Sequence, residues 1–190
     1  MNWFQVISCS NTVQSPFVAA EGDLEGLEDF AFLSCSKVER WEGTAWTRAS
    51  PATDGEPDDG LQTCFPIPIF SARLRTAVEE LGLAEFEHLP VKVIRSDGSE
   101  VPGWRIANAL TCVDALDLAL SEYSRFPDDY FIESLRGQIR DIRRTVLKGG
   151  LIRGRNVVRL SGYKPPLYVS EPFVRIFQKG RFTGYVALSE

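Results

Sequence analysis

The residues of this chain that could perform acid–base chemistry are one histidine and a pair of aspartates. His88 is the only histidine and lies in the run Phe86-Glu87-His88-Leu89-Pro90. Asp114 and Asp117 stand three positions apart, on one face of a helix or on opposite faces of a strand. Such a pair could act as general acid and base. Because an unpaired buried carboxylate is costly, we favour their structural pairing with arginines over catalysis.

Motifs for other kinds of catalysis are not found. No serine stands in a Gly-x-Ser-x-Gly sequence, and no Gly-x-x-x-x-Gly-Lys phosphate loop exists. The run 149–154 is better explained as a hairpin turn than as a phosphate cradle. We therefore predict that the chain is not an enzyme and has no catalytic residues, with an unrecognised enzyme using Asp114 and Asp117 as an alternative. The structural prediction is a polar core that contains Asn108, Asp114 and Asp117.

The four cysteines do not have the spacing of a metal site. They are Cys9, Cys35, Cys64 and Cys112, and no two of them form a Cys-x-x-Cys pair. Four cysteines in 190 residues are also too sparse for a disulfide framework. We expect four reduced thiols that pack as small apolar side chains, with no metal and no cofactor.

Charge is unevenly distributed along a chain whose net charge is −5 and whose calculated pI is about 5.1. Residues 21–60 carry 11 acids against 3 bases, and residues 135–190 carry 3 acids against 12 bases. The two spans could meet partners of opposite charge or neutralise each other. The basic span allows a nucleic-acid-binding regulator as a second alternative, although the low pI does not favour one. Its arginines are Arg136, Arg140, Arg143, Arg144, Arg153, Arg155 and Arg159.

The order of the predicted elements indicates an α+β fold, a mostly antiparallel sheet with a few helices. One unit is a strand over 67–70, Ser71 as N-cap, a helix ending near Gly82, and a strand over 89–95. A second unit has a strand over 167–169, Ser170, a helix with Pro172 in its first turn and Gly180 at its end, and a strand over 185–188. Two strand–Ser–helix–Gly–strand units therefore occur about a hundred residues apart.

The length of the chain predicts a single domain over 1–190. Within it, residues 1–65 form a variable, loop-rich N-terminal region, in which Trp41 and Trp46 are expected to anchor the base of the long loop 48–60. No run of about 18 apolar residues and no secretory signal is present, so we expect a cytoplasmic protein.

From Pro66 to Glu190 the sequence resembles immunity protein family eleven of bacterial polymorphic-toxin systems, and 66–190 is thus the family-like core. The most specific piece is Asn108-Ala109-Leu110-Thr111-Cys112-Val113-Asp114-Ala115-Leu116-Asp117. The other matching pieces follow the family's order. They are Pro68-Ile69-Phe70-Ser71-Ala72-Arg73-Leu74, Glu85-Phe86-Glu87-His88-Leu89-Pro90-Val91, Val158-Arg159-Leu160, Tyr168-Val169-Ser170-Glu171 and Thr183-Gly184-Tyr185.

The resemblance implies a cytosolic antidote that binds and neutralises a cognate protein toxin encoded by a neighbouring gene, with no catalytic residue or cofactor. Many such toxins attack nucleic acid or nucleotides with basic active sites, so an antidote would need an acidic surface. The loop 54–59 supplies four carboxylates, and we predict a toxin interface at Asp54, Glu56, Asp58 and Asp59. A loop kept polar only for solubility is the alternative.

Overall fold

The computed structural model describes residues 2–8, 31–41, 45–48, 57–62, 67–82, 85–95 and 97–189. Within these ranges the chain forms two α-helices, two short 3₁₀ turns (Ala31–Leu33 and Glu133–Leu135) and fourteen strands. In chain order the strands and α-helices are β1 (Trp3–Ser8), β2 (Trp46–Arg48), β3 (Gly60–Gln62), β4 (Pro68–Phe70), α1 (Ala72–Glu79), β5 (Phe86–Pro90), β6 (Lys92–Ile94), β7 (Glu100–Val101), β8 (Arg105–Ala109), β9 (Cys112–Val113), β10 (Glu122–Arg125), β11 (Ile139–Arg144), β12 (Val157–Leu160), β13 (Tyr163–Ser170), α2 (Glu171–Gly180) and β14 (Tyr185–Ser189). The predicted α+β fold is confirmed.

The largest sheet has five strands in the order β14-β1-β13-β12-β9, and only the β12–β9 pair is parallel. Strand β1 lies between the two C-terminal strands, with Phe4 opposite Val169 and Ile7 opposite Val186. A segment of the loop-rich N-terminal region is therefore an interior strand of the sheet, not an appendage to the core 66–190.

Three smaller sheets are formed by the other strands of the described residues. Four antiparallel strands are ordered β3-β4-β8-β5, and three strands are ordered β2-β6-β7, with β2 parallel to β6. Strands β10 and β11 form a two-stranded antiparallel sheet by themselves. Most pairs are antiparallel, as the sequence predicted.

The first helix has the predicted N-cap, apolar face and following glycine. The Oγ of Ser71 accepts the N–H of Leu74 at 3.1 Å, which satisfies one of the free donors of the first turn. Leu74 and Val78, four positions apart, face the core. Gly82 follows the helix with a φ of 67°, in the left-handed region that glycine adopts without steric cost.

The second helix begins after Ser170 and ends at Gly180, as predicted, but neither residue caps the helix in the way that Ser71 and Gly82 suggest for the first unit. Ser170 is the N-cap residue, but its hydroxyl donates to Asn156 at 2.9 Å and not to the helix. At the other end, Gly180 is the last helical residue and Arg181 adopts the left-handed conformation with a φ of 50°. A Cβ at Gly180 would lie 2.2 Å from the ring of Phe182, so the glycine is required for this close packing.

Hydrophobic residues pack in three clusters. The first joins both helices to the five-stranded and four-stranded sheets, and includes Phe70, Leu74, Phe86, Val169, Phe173 and Tyr185. The second lies between the four-stranded and three-stranded sheets around Phe32, Ile69, Val93 and Trp104. The third covers the opposite face of the five-stranded sheet and includes Trp3, Leu116, Ile152, Leu160 and Tyr168.

Tyr185 connects the N-terminal and C-terminal regions of the chain. Its buried hydroxyl donates to the carbonyl of Leu61 and accepts the N–H of Ile69 at 3.2 Å, so it bridges β3 and β4. Burial raises the pKa of this phenol. A Cβ at Gly60 would lie 2.1 Å from the ring, and only a glycine leaves room for it.

The cysteine prediction is wrong for two of the four residues. Cys35 and Cys112 form a disulfide that links the segment 31–41 to β9 across 77 positions, with a Cα–Cα distance of 5.7 Å. The spacing of cysteines along a sequence does not reveal such a long-range pair. Cys9 and Cys64 lie outside the described residues.

No helix in the described regions of the chain is long and apolar enough to cross a membrane.

Candidate interaction surface

The three residues considered for catalysis are not assembled into one site. His88 lies on β5 beside the rings of Phe70 and Phe86, with its Nε2 3.9 Å from Glu79 Oε1. Burial lowers the pKa of His88, and Glu79 only partly opposes this effect. Asp114 is exposed and follows β9 directly.

Of the three residues predicted to form a polar core, Asn108 is buried, Asp117 is half-buried and Asp114 is exposed. Asn108 is buried, and its Nδ2 donates to Ser36 O at 2.9 Å and to Glu87 Oε2 at 3.1 Å, which helps to fix the segment 31–41. For Asp114 the prediction is wrong, because this residue is exposed. Asp117 is half-buried and caps a turn, since its Oδ1 accepts the N–H groups of Ala119 and Leu120 at 3.0 and 3.2 Å. Among the described residues, neither aspartate forms an ion pair with an arginine.

The predicted acidic interface is only partly on the surface that the structure describes. Asp54 and Glu56 lie outside the described residues. Asp58 is buried, which contradicts its expected exposure. Asp59 accepts from the hydroxyl of Ser71 at 2.9 Å, forms an ion pair with Arg73, and accepts the N–H of Thr183 at 3.2 Å. It therefore joins α1 to the C-terminal segment.

Of the two tryptophans that were expected to anchor the base of the long loop, Trp41 is anchored through its side chain and Trp46 is exposed. The indole N–H of Trp41 donates to Pro90 O at 2.8 Å, and its ring packs edge-on against Phe32. Trp46 is 37% exposed and does not belong to the buried core.

The basic cluster separates into one buried arginine and six exposed ones. Arg159 is fully buried on β12, and burial lowers its pKa to about 10. Its guanidinium donates to Lys164 O and Pro165 O, both at 2.8 Å, and so supports the first half of β13. The remaining six are exposed: Arg136, Arg140, Arg143, Arg144, Arg153 and Arg155.

Four of the exposed arginines lie on a hairpin that we call the arm, residues 122–144. It consists of β10, β11 and a connection, the tip, that spans 126–138. Phe126 and Gln138 close the tip at its base through a bond from Phe126 N to Gln138 O of 3.0 Å. On the arm's inner side, Ile139 and Ile142 pack against the third hydrophobic cluster. A two-stranded sheet has little stability alone, so this packing holds the arm on the body of the protein.

The tip exposes aromatic and aliphatic side chains. Phe126, Tyr130 and Phe131 form a chain of rings with centroid distances of 4.7 and 4.4 Å. Phe131 is nonetheless 80% exposed, and its neighbour Ile132 is 40% exposed. This segment was not among the candidate sites predicted from the sequence. Its available signal was the pair of aromatics that directly follows the turn-forming run Pro127-Asp128-Asp129.

A groove of about 1140 Å³ separates the arm from the body. Its walls come from five segments of the chain, residues 33–34, 114–118, 125–126, 135–140 and 161–165. Four cations line it, Arg125, Arg136, Arg140 and Lys164, against a single lining acid, Asp114. Of the large apolar side chains that are exposed in the described structure, Leu118 lines this groove together with the four cations.

A smaller cavity of about 350 Å³ lies between α2 and the strands β14, β1 and β13. Its walls are apolar side chains such as Phe4, Phe173 and Phe177, with Gln178 and Arg181 as polar lining residues. Among the described residues, no group of three His, Cys, Asp or Glu side chains could hold a metal ion.

Comparison with known proteins adds one match. The sequence fits the model of the Immunity protein family (Imm11) over residues 12–187. The match extends well before Pro66, in agreement with the packing of β3 against Tyr185. The comparison with curated proteins gives no match.

Proposed function

Because the chain belongs to the Imm11 immunity protein family, we propose that it is an antidote that neutralises a cognate toxin by binding it directly. The observation that carries this proposal is the family match over 12–187, nearly the whole chain. The toxin is a protein encoded by a neighbouring gene, and the antidote needs no cofactor and catalyses no reaction.

The described structure supports a binding role. Catalysis needs an acid, a base and a substrate position within hydrogen-bonding reach of one another. His88 is half-enclosed by aromatic rings in one sheet, whereas Asp114 and Asp117 belong to the loop that follows β9. The open features are instead a basic groove and an exposed aromatic tip, which are features of protein interfaces.

We propose that the protein acts in the cytoplasm. Cytosolic thiols are usually kept reduced, so the Cys35–Cys112 pair would be open there. Three contacts would still hold the segment 31–41 in place: the bonds of Asn108 to Ser36 O, of Val38 N to Glu87 and of Trp41 to Pro90 O. Thiol alkylation of the protein in acid-quenched cells, read by mass spectrometry, measures the redox state directly. Recovery of this pair only as a disulfide would argue against a cytoplasmic site.

The test of the function is co-expression with the toxin encoded beside the gene. Cells that carry both genes are expected to grow, cells with the toxin alone to stop, and the two proteins to co-purify. Growth arrest despite abundant folded antidote, with no complex on gel filtration, would contradict the proposal.

A further inference from the structure

We propose that the groove beside the arm is the surface that holds the toxin, and that the toxin segment seated there is acidic and carries an apolar side chain. This inference rests on the proposed function, since it assigns the docking site of the same toxin. It differs from the acidic loop predicted from the sequence, because it places the contact on the basic half of the chain.

The charge of the groove is the first feature that points to such an occupant. Arg125 donates to Gly137 O at 2.6 Å and Arg136 donates to Tyr130 O at 2.8 Å, so both guanidinium groups are held in place by neutral carbonyls. Their positive charge is therefore not cancelled by these bonds. Arg136 also lies 3.8 Å from Glu133, but that carboxylate is 89% exposed and forms only a weak pair.

The two other cations line the groove from different parts of the chain. Arg140 comes from β11 in the arm and Lys164 from β13 in the body. Neither forms an ion pair with any residue of the described structure. Nearby acids reduce the positive field. Asp114 lines the groove, and Asp141 adds to the effect of burial in raising the pKa of Tyr163. Asp128, beside the lining residue Gly137, and Glu133, near Arg136, reduce the field further. Four lining cations against one lining acid fit a negatively charged occupant.

Exposed apolar surface beside these charges is the second feature. Leu118 lines the groove and is 44% exposed, while Leu120, just before the arm, is 58% exposed. Phe131 at the tip is 80% exposed. Exposed apolar side chains grouped with arginines mark protein contacts, and buried aromatic anchors commonly supply most of the binding energy.

The overall charge of the chain favours a protein over a nucleic acid as the occupant. Phe126 and Tyr163 line the groove and offer flat surfaces, so aromatic stacking does not distinguish the two kinds of partner. The net charge of −5 opposes a polyanion more than it opposes a protein with a local acidic segment.

The experiment measures affinity for the inactivated toxin encoded beside the gene, at low and high salt. The test variant carries Arg140→Glu and Lys164→Glu. Its control carries Arg153→Glu and Arg155→Glu, which make the same change in net charge at exposed positions outside the groove. A second pair compares Phe131→Asp, at the tip of the arm, with Leu151→Asp, at a control leucine that is 55% exposed and lies outside the arm. Circular dichroism checks that each variant is folded.

We expect the groove variant to bind at least about tenfold more weakly and to lose the salt dependence of its association rate. Phe131→Asp is expected to raise the dissociation rate, and both controls to bind like the wild type. An equal loss of affinity in the test and control variants would overturn the docking site but leave the proposed function standing. A wild-type protein that does not bind the toxin would refute the proposed function itself. The docking site would also be overturned by either of two results: the wild type binds a single-stranded RNA oligonucleotide, or it associates with itself, and the groove variant abolishes that binding.

Discussion

Replacement of Tyr185 by Phe tests whether residues 57–62 belong to the same cooperative core as the C-terminal strands. The phenol ring stays, but its hydroxyl no longer bridges Leu61 O and Ile69 N, which are both in the buried core. An unsatisfied buried backbone group costs about 1–3 kcal/mol, so two such groups imply a loss of about 3 kcal/mol in the free energy of unfolding. For a chain of this size the melting temperature would fall by ~6–12 °C.

The assay is urea unfolding, followed by circular dichroism and by tryptophan fluorescence. Trp3 and Trp104 are buried in different hydrophobic clusters, so coincident transitions would support the single-domain prediction for 1–190. The control is Tyr123→Phe, where no hydrogen bond of the hydroxyl is found among the described residues, and its effect should stay within about 0.5 kcal/mol. A loss at Tyr185 no larger than that of the control would refute the bridging role.

The same substitution has a signature at high pH. Burial raises the pKa of Tyr185, so the folded chain retains a proton that the unfolded chain releases near its ordinary value of 10. This contribution to stability is present in full below pH 10 and is lost as the pH rises above it. We expect Tyr185→Phe to reduce the alkaline decline in stability, while Tyr163, whose pKa burial also raises, keeps some of the decline. An unchanged alkaline slope would contradict this assignment.

Three further predictions concern the segment 31–41 and the four-stranded sheet. Cys35→Ser combined with Cys112→Ser should lower the free energy of unfolding by about 2–4 kcal/mol in non-reducing buffer. Burial holds the pKa of His88 below 6.5, so the unfolded chain takes up a proton first and stability falls as the pH drops through 6.5. His88→Gln should remove this component of the fall, measured as the difference in melting temperature between acidic and neutral pH. Asn108→Asp places a carboxylate against Glu87 Oε2 and should cost at least ~3 kcal/mol.

Each of these predictions has a contrary result. If reductant does not change the melting temperature of the wild-type protein, the disulfide does not contribute to its stability. A His88→Gln variant with the wild-type pH dependence would mean that other groups cause the acid instability. For Asn108→Asp, a melting temperature equal to that of the wild type would show that its amide does not hold the segment 31–41.

The regular elements were predictable where local signals act alone. Ser71 caps the start of α1, and Gly82 takes the left-handed conformation three residues after its last residue, because both features depend on neighbouring residues. At α2 Gly180 is the last helical residue, as predicted, but it is kept small by the ring of Phe182, and Arg181 takes the left-handed conformation. Contacts that a glycine makes outside its own helix are not visible in the sequence pattern.

The candidate site depended on long-range contacts and was therefore mostly missed. Asp59 looked like a member of a solvated acidic loop, yet it bonds to Thr183, 124 positions away. Asp114 was expected to be buried because its neighbours are apolar, but β9 ends at Val113 and the alternation of faces ends with it. Arg140 and Lys164 are 24 positions apart, and only the fold of the arm brings them to one groove.

The central claim, neutralisation by direct binding, is tested most directly by titrating the toxin's activity with the purified chain. Direct binding predicts that activity falls linearly and reaches zero at one molecule of antidote per toxin, with no further change over time. It also predicts that both proteins are recovered with unaltered masses. Complete inactivation by a small fraction of an equivalent, or full toxin activity in the presence of excess folded chain, would contradict neutralisation by binding.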